Sequence, residues 1–302
     1  MASLLDMTQQ GDVATVADDA YLNKTLKLMR PQQLYELWER QQWQSQGIDL
    51  ERDRESFASF TEEEKDETMW GLSSFFVGEE RVTTQFSALV MAYEDEQEEA
   101  FLTTQQVDEA RHMQFFDRYY REVFELGDER IDDRLAKVRK SVTDAFLTLF
   151  DENLVEDGRR LLDDPSDLKA KVEFITTYHM VIEGVLALTG QHFLLDFFEK
   201  GGRLPGFVEG FSNIARDEHR HVAYGTWFLQ QKIAQDESLK PVVQDKLVEL
   251  LPLAAGVLVP PGYSVGDDYT FYGYTSKEQT EFAFTALTRR LKVIGVGLPV
   301  AA

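Results

Sequence analysis

The chain has 302 residues and 43% hydrophobic content, enough for a sizeable core, and a formal net charge of −23. That charge repels phosphate backbones and anionic lipid, which argues against nucleic-acid or membrane-surface binding. There is no cysteine, so any metal has to be held by carboxylate, imidazole or water, and the composition suits a reducing cytoplasm.

The N-terminus, MASLLDMTQQGDVATVADDA, lacks a basic region leading into an apolar run, so no signal peptide is expected, and about residues 1–20 read as a flexible segment. Apolar residues at three- and four-residue spacing then predict helix almost throughout. A first helix is expected over about 32–46. Thr61-Glu62-Glu63-Glu64 has the form of a capping box and should open a long helix to about Glu94. The acidic run from Asp95 to Glu99 surrounds the turn into a second helix ending near Phe124, with Gly127 after it. Another is expected from about Asp132 to Leu154. Asp164-Pro165-Ser166 marks the start of the most apolar helix, which ends at Gly201-Gly202; Glu183 and Asp196 interrupt it and argue against a membrane span. Pro205 opens the next helix. Pro241, Pro252 and Pro260-Pro261 should shorten the elements that follow, PPGYSVGDDYTFYGYT reads as an ordered loop, and Ser276 to Val293 is a final helix. With no repeat and little punctuation, one all-α domain over 1–302 is expected, its metal-binding core over about 62–235.

Within ARDEHRHVAY, Glu218 and His221 stand three apart, about 60° from each other on a helix, and can grip one ion from one face; His219 points elsewhere. VDEARHMQFF repeats the arrangement with Glu109 and His112. Two such pairs on separate helices are the di-metal arrangement of four-helix bundles, in which two further helices give one glutamate each. Glu183, isolated within MVIEGVLAL, is costly to bury unless it coordinates or is paired. FFVGEERV offers Glu79 and Glu80, between which spacing does not choose. Four ionised glutamates offset two divalent ions, and with two imidazoles the set suits iron or manganese better than calcium or structural zinc. Asp217, beside Glu218, can accept a ring N–H and orient a ligand.

WQSQGIDLERDRESF, GEERVT, DEARHMQFF and ARDEHRH, in that order and approximate spacing, resemble the ribonucleotide reductase small-subunit superfamily over about residues 35–230. The resemblance implies a ferritin-like four-helix bundle core with additional helices, and Glu79, Glu109, His112, Glu183, Glu218 and His221 as metal ligands; the register that aligns Trp43 selects Glu79 over Glu80. Trp43 and Asp217 match the tryptophan and aspartate that carry radical transfer in the reductase. Two features depart from an ordinary reductase subunit. Phe116 stands four after His112, where the radical tyrosine usually is, as it also does in one manganese/iron branch of the reductase. The end GVGLPVAA lacks an acidic tail with a relay tyrosine.

The closer similarity is to the R2-like ligand-binding oxidases, whose pattern adds this phenylalanine, a valine three after the first glutamate and a tyrosine five before the third: Phe116, Val82 and Tyr178. That resemblance implies a Mn/Fe centre, with di-iron as the alternative, O2 as oxidant, and a long-chain fatty acid or other apolar ligand at the metals. It also implies an oxygen-dependent ether cross-link between Val82 and Tyr178, and a homodimer. Ideal helical geometry alone does not deliver this, because Tyr178 lies about 140° from Glu183 while His179 lies within about 40° and is the better ligand candidate. A π-bulge would reconcile the two. The competing functions are a ribonucleoside-diphosphate reductase small subunit and, less well supported, a ferritin-type storage protein.

Overall fold

The computed structural model describes residues 28–127 and 130–298, so the segment 1–20 expected to be flexible lies outside it. Among the described residues, eleven helices, some composite, and one small hairpin follow in chain order. They are α1 (Pro31–Arg40), α2 (Glu51–Ala58), α3 (Glu62–Gln85), α4 (Ser87–Met91), α5 (Glu96–Glu122) and α6 (Ile131–Val138). Next come α7 (residues 144–163), α8 (Leu168–Gly201), α9 (Pro205–Gln235) and α10 (Leu239–Val257). The strands β1 (Thr270–Phe271) and β2 (Tyr274–Thr275) then precede α11 (Ser276–Ile294).

The capping box forms as its sequence requires: Thr61 Oγ1 accepts from the Glu64 N–H at 3.2 Å, and Glu64 Oε2 accepts from the Thr61 N–H at 2.8 Å. The long helix does not reach Glu94. Thr83 and Thr84 donate back to the carbonyls of Glu79 and Glu80 at 2.6 and 3.2 Å, which competes with the helical ladder, and α3 gives way at Phe86 to the short α4. Asp95 then caps α5, accepting from the N–H groups of Gln97 and Glu98. The first helix is also shorter than expected. It stops at Arg40, where Arg216 of α9 donates to the Gln41 carbonyl at 2.9 Å and fixes the chain end.

The helix expected over 132–154 is two. A 3₁₀ turn at Arg139–Ser141 and the cap Thr143, which accepts from the Phe146 N–H, separate α6 from α7. Pro252 does not end α10; it lies on the exposed face, where a missing N–H is least costly. The expected loop contains a hairpin pairing Thr270 with Thr275, its tip formed by Tyr272 and Gly273 at φ of 50° and 78°, the left-handed pair of a type I′ turn.

The helices α3, α5, α8 and α9 form the ferritin-like core: α3 packs on α5, α8 on α9, and α5 on α9. On the outside, α1 covers α5, α10 covers α8, and α11 lies across α8 and α9. Among the described residues, α8 is the one helix long and apolar enough to cross a membrane, and 72% of its apolar window is buried inside the protein, where it serves as the central core helix.

Two stretches depart from α geometry. Residues Thr148–Asn153 of α7 and Thr176–Ala187 of α8 run as π-helix, whose i→i+5 ladder stacks residues five apart. The second contains both Tyr178 and Glu183 and supplies the distortion that an ideal wheel lacks.

Candidate metal centre

Four helices bring six side chains together. Glu79 comes from α3, Glu109 and His112 from α5, Glu183 from the π segment of α8, and Glu218 and His221 from α9. Ligand atoms of Glu79, Glu109, His112 and Glu218 all lie within 4.8 Å of one another, as do those of Glu109, Glu183, Glu218 and His221. The two groups share Glu109 and Glu218, so each can hold one ion with those carboxylates between them. Glu80, left open by spacing, is only partly buried, takes a bond from Thr84, and belongs to neither group.

Both imidazoles aim Nδ1 into the cluster. His112 Nδ1 is 3.6, 3.5 and 3.5 Å from Glu79, Glu109 and Glu218, and His221 Nδ1 is 3.1, 3.2 and 3.5 Å from Glu109, Glu183 and Glu218. Their Nε2 atoms face aspartates on the opposite helix: His112 meets Asp217 Oδ2 and His221 meets Asp108 Oδ2, both at 3.3 Å. Each aspartate also accepts from an indole. Trp43 Nε1 is 2.7 Å from Asp217, and Trp38 Nε1 is 2.9 Å from Asp108. Arg220 joins the halves, donating from Nη2 to Asp108 at 2.8 Å and to Asp217 at 2.7 Å. Asp217 was singled out from the sequence; Asp108, Trp38 and Arg220 were not. The signal for Asp108 was present, because Asp-Glu-x-x-His occurs twice, as Asp108 to His112 and as Asp217 to His221.

Fit to a metal pair follows from this chemistry. Six oxygen- and nitrogen-bearing side chains, all nine-tenths or more buried, converge. Glu183 Oε2, Glu218 Oε2 and His112 Nδ1 have no hydrogen-bond partner in the protein. Without cations this would be costly. Protons can take part of the load: burial, against the pull of His112, pushes Glu79 up to about 8, and burial pushes Glu183 well above the carboxylate range. Burial acts to lower His112 and His221, but Glu79 and Glu109 respectively lead the groups that hold them well above the usual value. For Glu109, burial is outweighed by His221 and His112, which hold it well below. Asp217 is held low in the same way, burial being overcome by His112 and Arg220.

Tyr178 is fully buried and donates to Glu109 Oε1 at 2.5 Å. Gln105, which sequence reading missed, donates to Glu183 Oε1 at 3.2 Å and lies 3.3 Å from His179. His179, the better candidate on an ideal wheel, lies outside both groups: the π segment turns it away, against Gly225. His219 is also outside, its Nδ1 directed at the Ala215 carbonyl. Phe116 is buried and stacks on Phe75 with ring centroids 5.8 Å apart.

An apolar cavity of about 120 Å³ opens on the cluster. Glu79, Glu109, Glu183 and Glu218 supply the carboxylates of its lining, and Val82, Tyr178, Trp70 and Tyr272 are among the other side chains that line it.

Fold and site together define a di-metal carboxylate oxidoreductase of the O2-activating class. The model of the ribonucleotide reductase small chain matches residues 24–255, and the chain belongs to that family. Among solved structures it is similar to a valine-to-leucine variant of an R2-like ligand-binding oxidase with an anaerobically reconstituted Mn/Fe cofactor. The identity is 25% with a TM-score of 0.75, covering 88% of this chain and 93% of that one. It is likewise similar to a glycine-to-phenylalanine variant with an anaerobically reconstituted cofactor, at 26% identity and TM-score 0.74, covering 88% and 93% of the two chains. A tyrosine-to-phenylalanine variant, aerobically reconstituted with Mn/Fe, matches at 25% and 0.73, covering 89% and 94%.

Proposed function

We propose that the chain is a Mn/Fe oxidase that binds a long-chain fatty acid or similar apolar ligand and uses O2 to oxidise a C–H bond, with an ether cross-link between Val82 and Tyr178 as a self-oxidation product. Glu79, Glu109, His112 and Glu218 hold one ion, and Glu109, Glu183, Glu218 and His221 the other. The observation that carries this reading is the largely apolar cavity that Glu79, Glu109, Glu183 and Glu218 line together with Val82 and Tyr178. An acyl tail suits the apolar lining, and a carboxylate head suits a cavity that opens on metal-binding groups.

When bound, the metal pair supplies the O2 site and two of the four electrons that convert O2 to two waters. The other two electrons, with two protons, come from the chain: one hydrogen leaves a Val82 carbon, one leaves the Tyr178 hydroxyl, and a C–O bond replaces them. The remaining two protons come from solvent. Tyr178 is already directed at the metal-ligand carboxylate Glu109. The apolar wall excludes water from the C–H bond that reacts.

The test is peptide mass spectrometry of protein loaded with manganese and iron in air. A peptide pair joined through Val82 and Tyr178, two hydrogens lighter than its parts, is expected, and it should be absent without O2 and in Tyr178→Phe. Solvent extraction of the same protein should yield a fatty acid. Unjoined peptides under all conditions would sink the cross-link, and an empty extract the ligand class. Zero cysteines support a cytoplasmic setting, and sedimentation of the loaded protein tests the homodimer.

A reductase small subunit is the second reading. It is favoured by the unbroken contact from Trp43 through Asp217 to His112. Ribonucleotide reduction on mixing with a large subunit would support it, and Phe116 in the radical position predicts failure of a tyrosyl-radical mechanism.

A further inference from the structure

Between α8, α9 and α11, beside the metal-ligand carboxylates, is a second cavity of about 10 Å³, the room of one water molecule. Glu183, Gln191, Glu218, His219 and Arg290 line it together with apolar side chains. Each of these five has a buried atom without a protein partner: Glu183 Oε2, both amide atoms of Gln191, Glu218 Oε2, His219 Nε2 and Arg290 Nε. Orphaned polar groups are costly one at a time, so several around one small void point to an occupant.

Donors and acceptors are mixed. Arg290 Nε donates. His219 commits its Nδ1 to the Ala215 carbonyl at 2.5 Å, so that nitrogen carries the hydrogen and Nε2 accepts. The carboxylates accept. A water satisfies both kinds; an anion would leave the acceptors unmet, and a cation would sit against a guanidinium.

Arg290 is 3% exposed and lies on α11, outside the residues matched by the family model. Its Nη2 donates to the Gly184 carbonyl, and Gly184 makes room, since a Cβ there would lie 3.0 Å from that nitrogen. Among the described residues it has no carboxylate within ion-pair distance, and burial lowers its pKa to about 9. Arg220, by contrast, is compensated by two aspartates. The two metal positions therefore differ. Arg220 serves both positions alike through Asp217 and Asp108, while Arg290, whose charge no aspartate offsets, lies beside Glu183, which belongs only to the Glu183–His221 group.

We infer that a water in this cavity bridges Arg290 Nε, Gln191 and His219 Nε2 beside the carboxylates of Glu183 and Glu218, and that Arg290 makes the Glu183–His221 metal position the harder of the two to oxidise. The inference rests on the metal-centre reading. A fixed positive charge opposes removal of an electron from the ion beside it, while the bridging water holds the carboxylates to one orientation. Arg290 and Gln191 are positioning residues; neither belongs to the ligand groups.

The experiment combines diffraction with an EPR-monitored redox titration of the iron-loaded protein, a mediator taking one electron per ion. Ordered solvent within hydrogen-bond reach of Arg290 Nε, Gln191 and His219 Nε2 is expected. Arg290→Met should shift the midpoint downward and narrow the range of potential over which the mixed-valence signal persists, while Arg290→Lys keeps both near the starting values. Gln191→Leu, which leaves the charge and nearly the shape, should empty the cavity and weaken the ion of the Glu183–His221 position at least about tenfold in a chelator competition. An empty cavity in the parent protein, an unmoved midpoint in Arg290→Met, or full affinity in Gln191→Leu would each overturn the inference. Failure of the parent protein to bind two ions would instead overturn the metal centre, a separate result read before any variant is made.

Discussion

Asp108 and Asp217 serve the metal centre crosswise. Each precedes a glutamate of the proposed metal centre on its own helix and meets the histidine of the other helix, so one residue type at one motif position ties α5 to α9. An imidazole held in this way keeps its tautomer and donates better through the opposite nitrogen. Asp108→Asn should therefore weaken the ion beside His221 by about 10–100-fold, and Asp217→Asn the ion beside His112 by a similar factor. Metal titration with site occupancies from anomalous diffraction checks this; equal losses at both positions in either variant would contradict the crosswise assignment. The motif was legible, but its pairing was not, because a sequence says which residues share a helix and not which histidine they face. Trp38 was less legible still: its partner is seventy residues away, and nothing in PQQLYELWER separates this indole from a core one.

At the level of elements, the informative conflict was between Tyr178 and Glu183. Five residues apart, they cannot share a face of an α-helix, yet both were expected at one site; the π segment removes the conflict by changing the period. The same change swings His179 onto α9, where Gly225 receives it: a Cβ at Gly225 would lie 2.3 Å from His179 Cβ. Gly225→Ala should cost about 1–3 kcal/mol through overpacking, seen as a lower Tm, and should disturb the Gln105 bonds to Glu183. Thr61→Ala, at the start of α3, should cost about 1 kcal/mol through the lost cap while leaving metal affinity unchanged. Calorimetry and metal titration of both variants separate a local packing effect at the site from a general loss of helix stability. The capping box at Thr61 was readable from sequence. The breaks at Phe86 and Arg139 were not: apolar spacing runs through both, and the cap at Thr143 that follows the second carries no acidic capping box to announce it.

Across the whole molecule, acids exceed bases by 23 charges. Most of the excess sits in water, but four glutamates and two histidines meet in the core, where protons and metal ions compete for the same atoms. Glu79 is raised to about 8, Glu183 is raised well above the usual carboxylate value, and His112 and His221 are raised well above theirs. A group whose folded value is raised contributes stability that is complete below its unfolded value and is lost as pH rises through the folded one. Glu109 and Asp217, held low, have the opposite sign, but their gain is complete above their unfolded carboxylate values and adds no slope beyond about pH 5. Chelated protein should thus lose stability from this cluster between about pH 5 and about pH 8. Metal binding needs the deprotonated carboxylates and neutral imidazoles, so it releases protons and tightens as pH rises. The Tm difference between loaded and chelated protein should therefore widen from about pH 5.5 to about pH 8, with proton release on adding manganese or iron to weakly buffered protein. A difference that stays constant or narrows would show that the cluster is not where these protons are held.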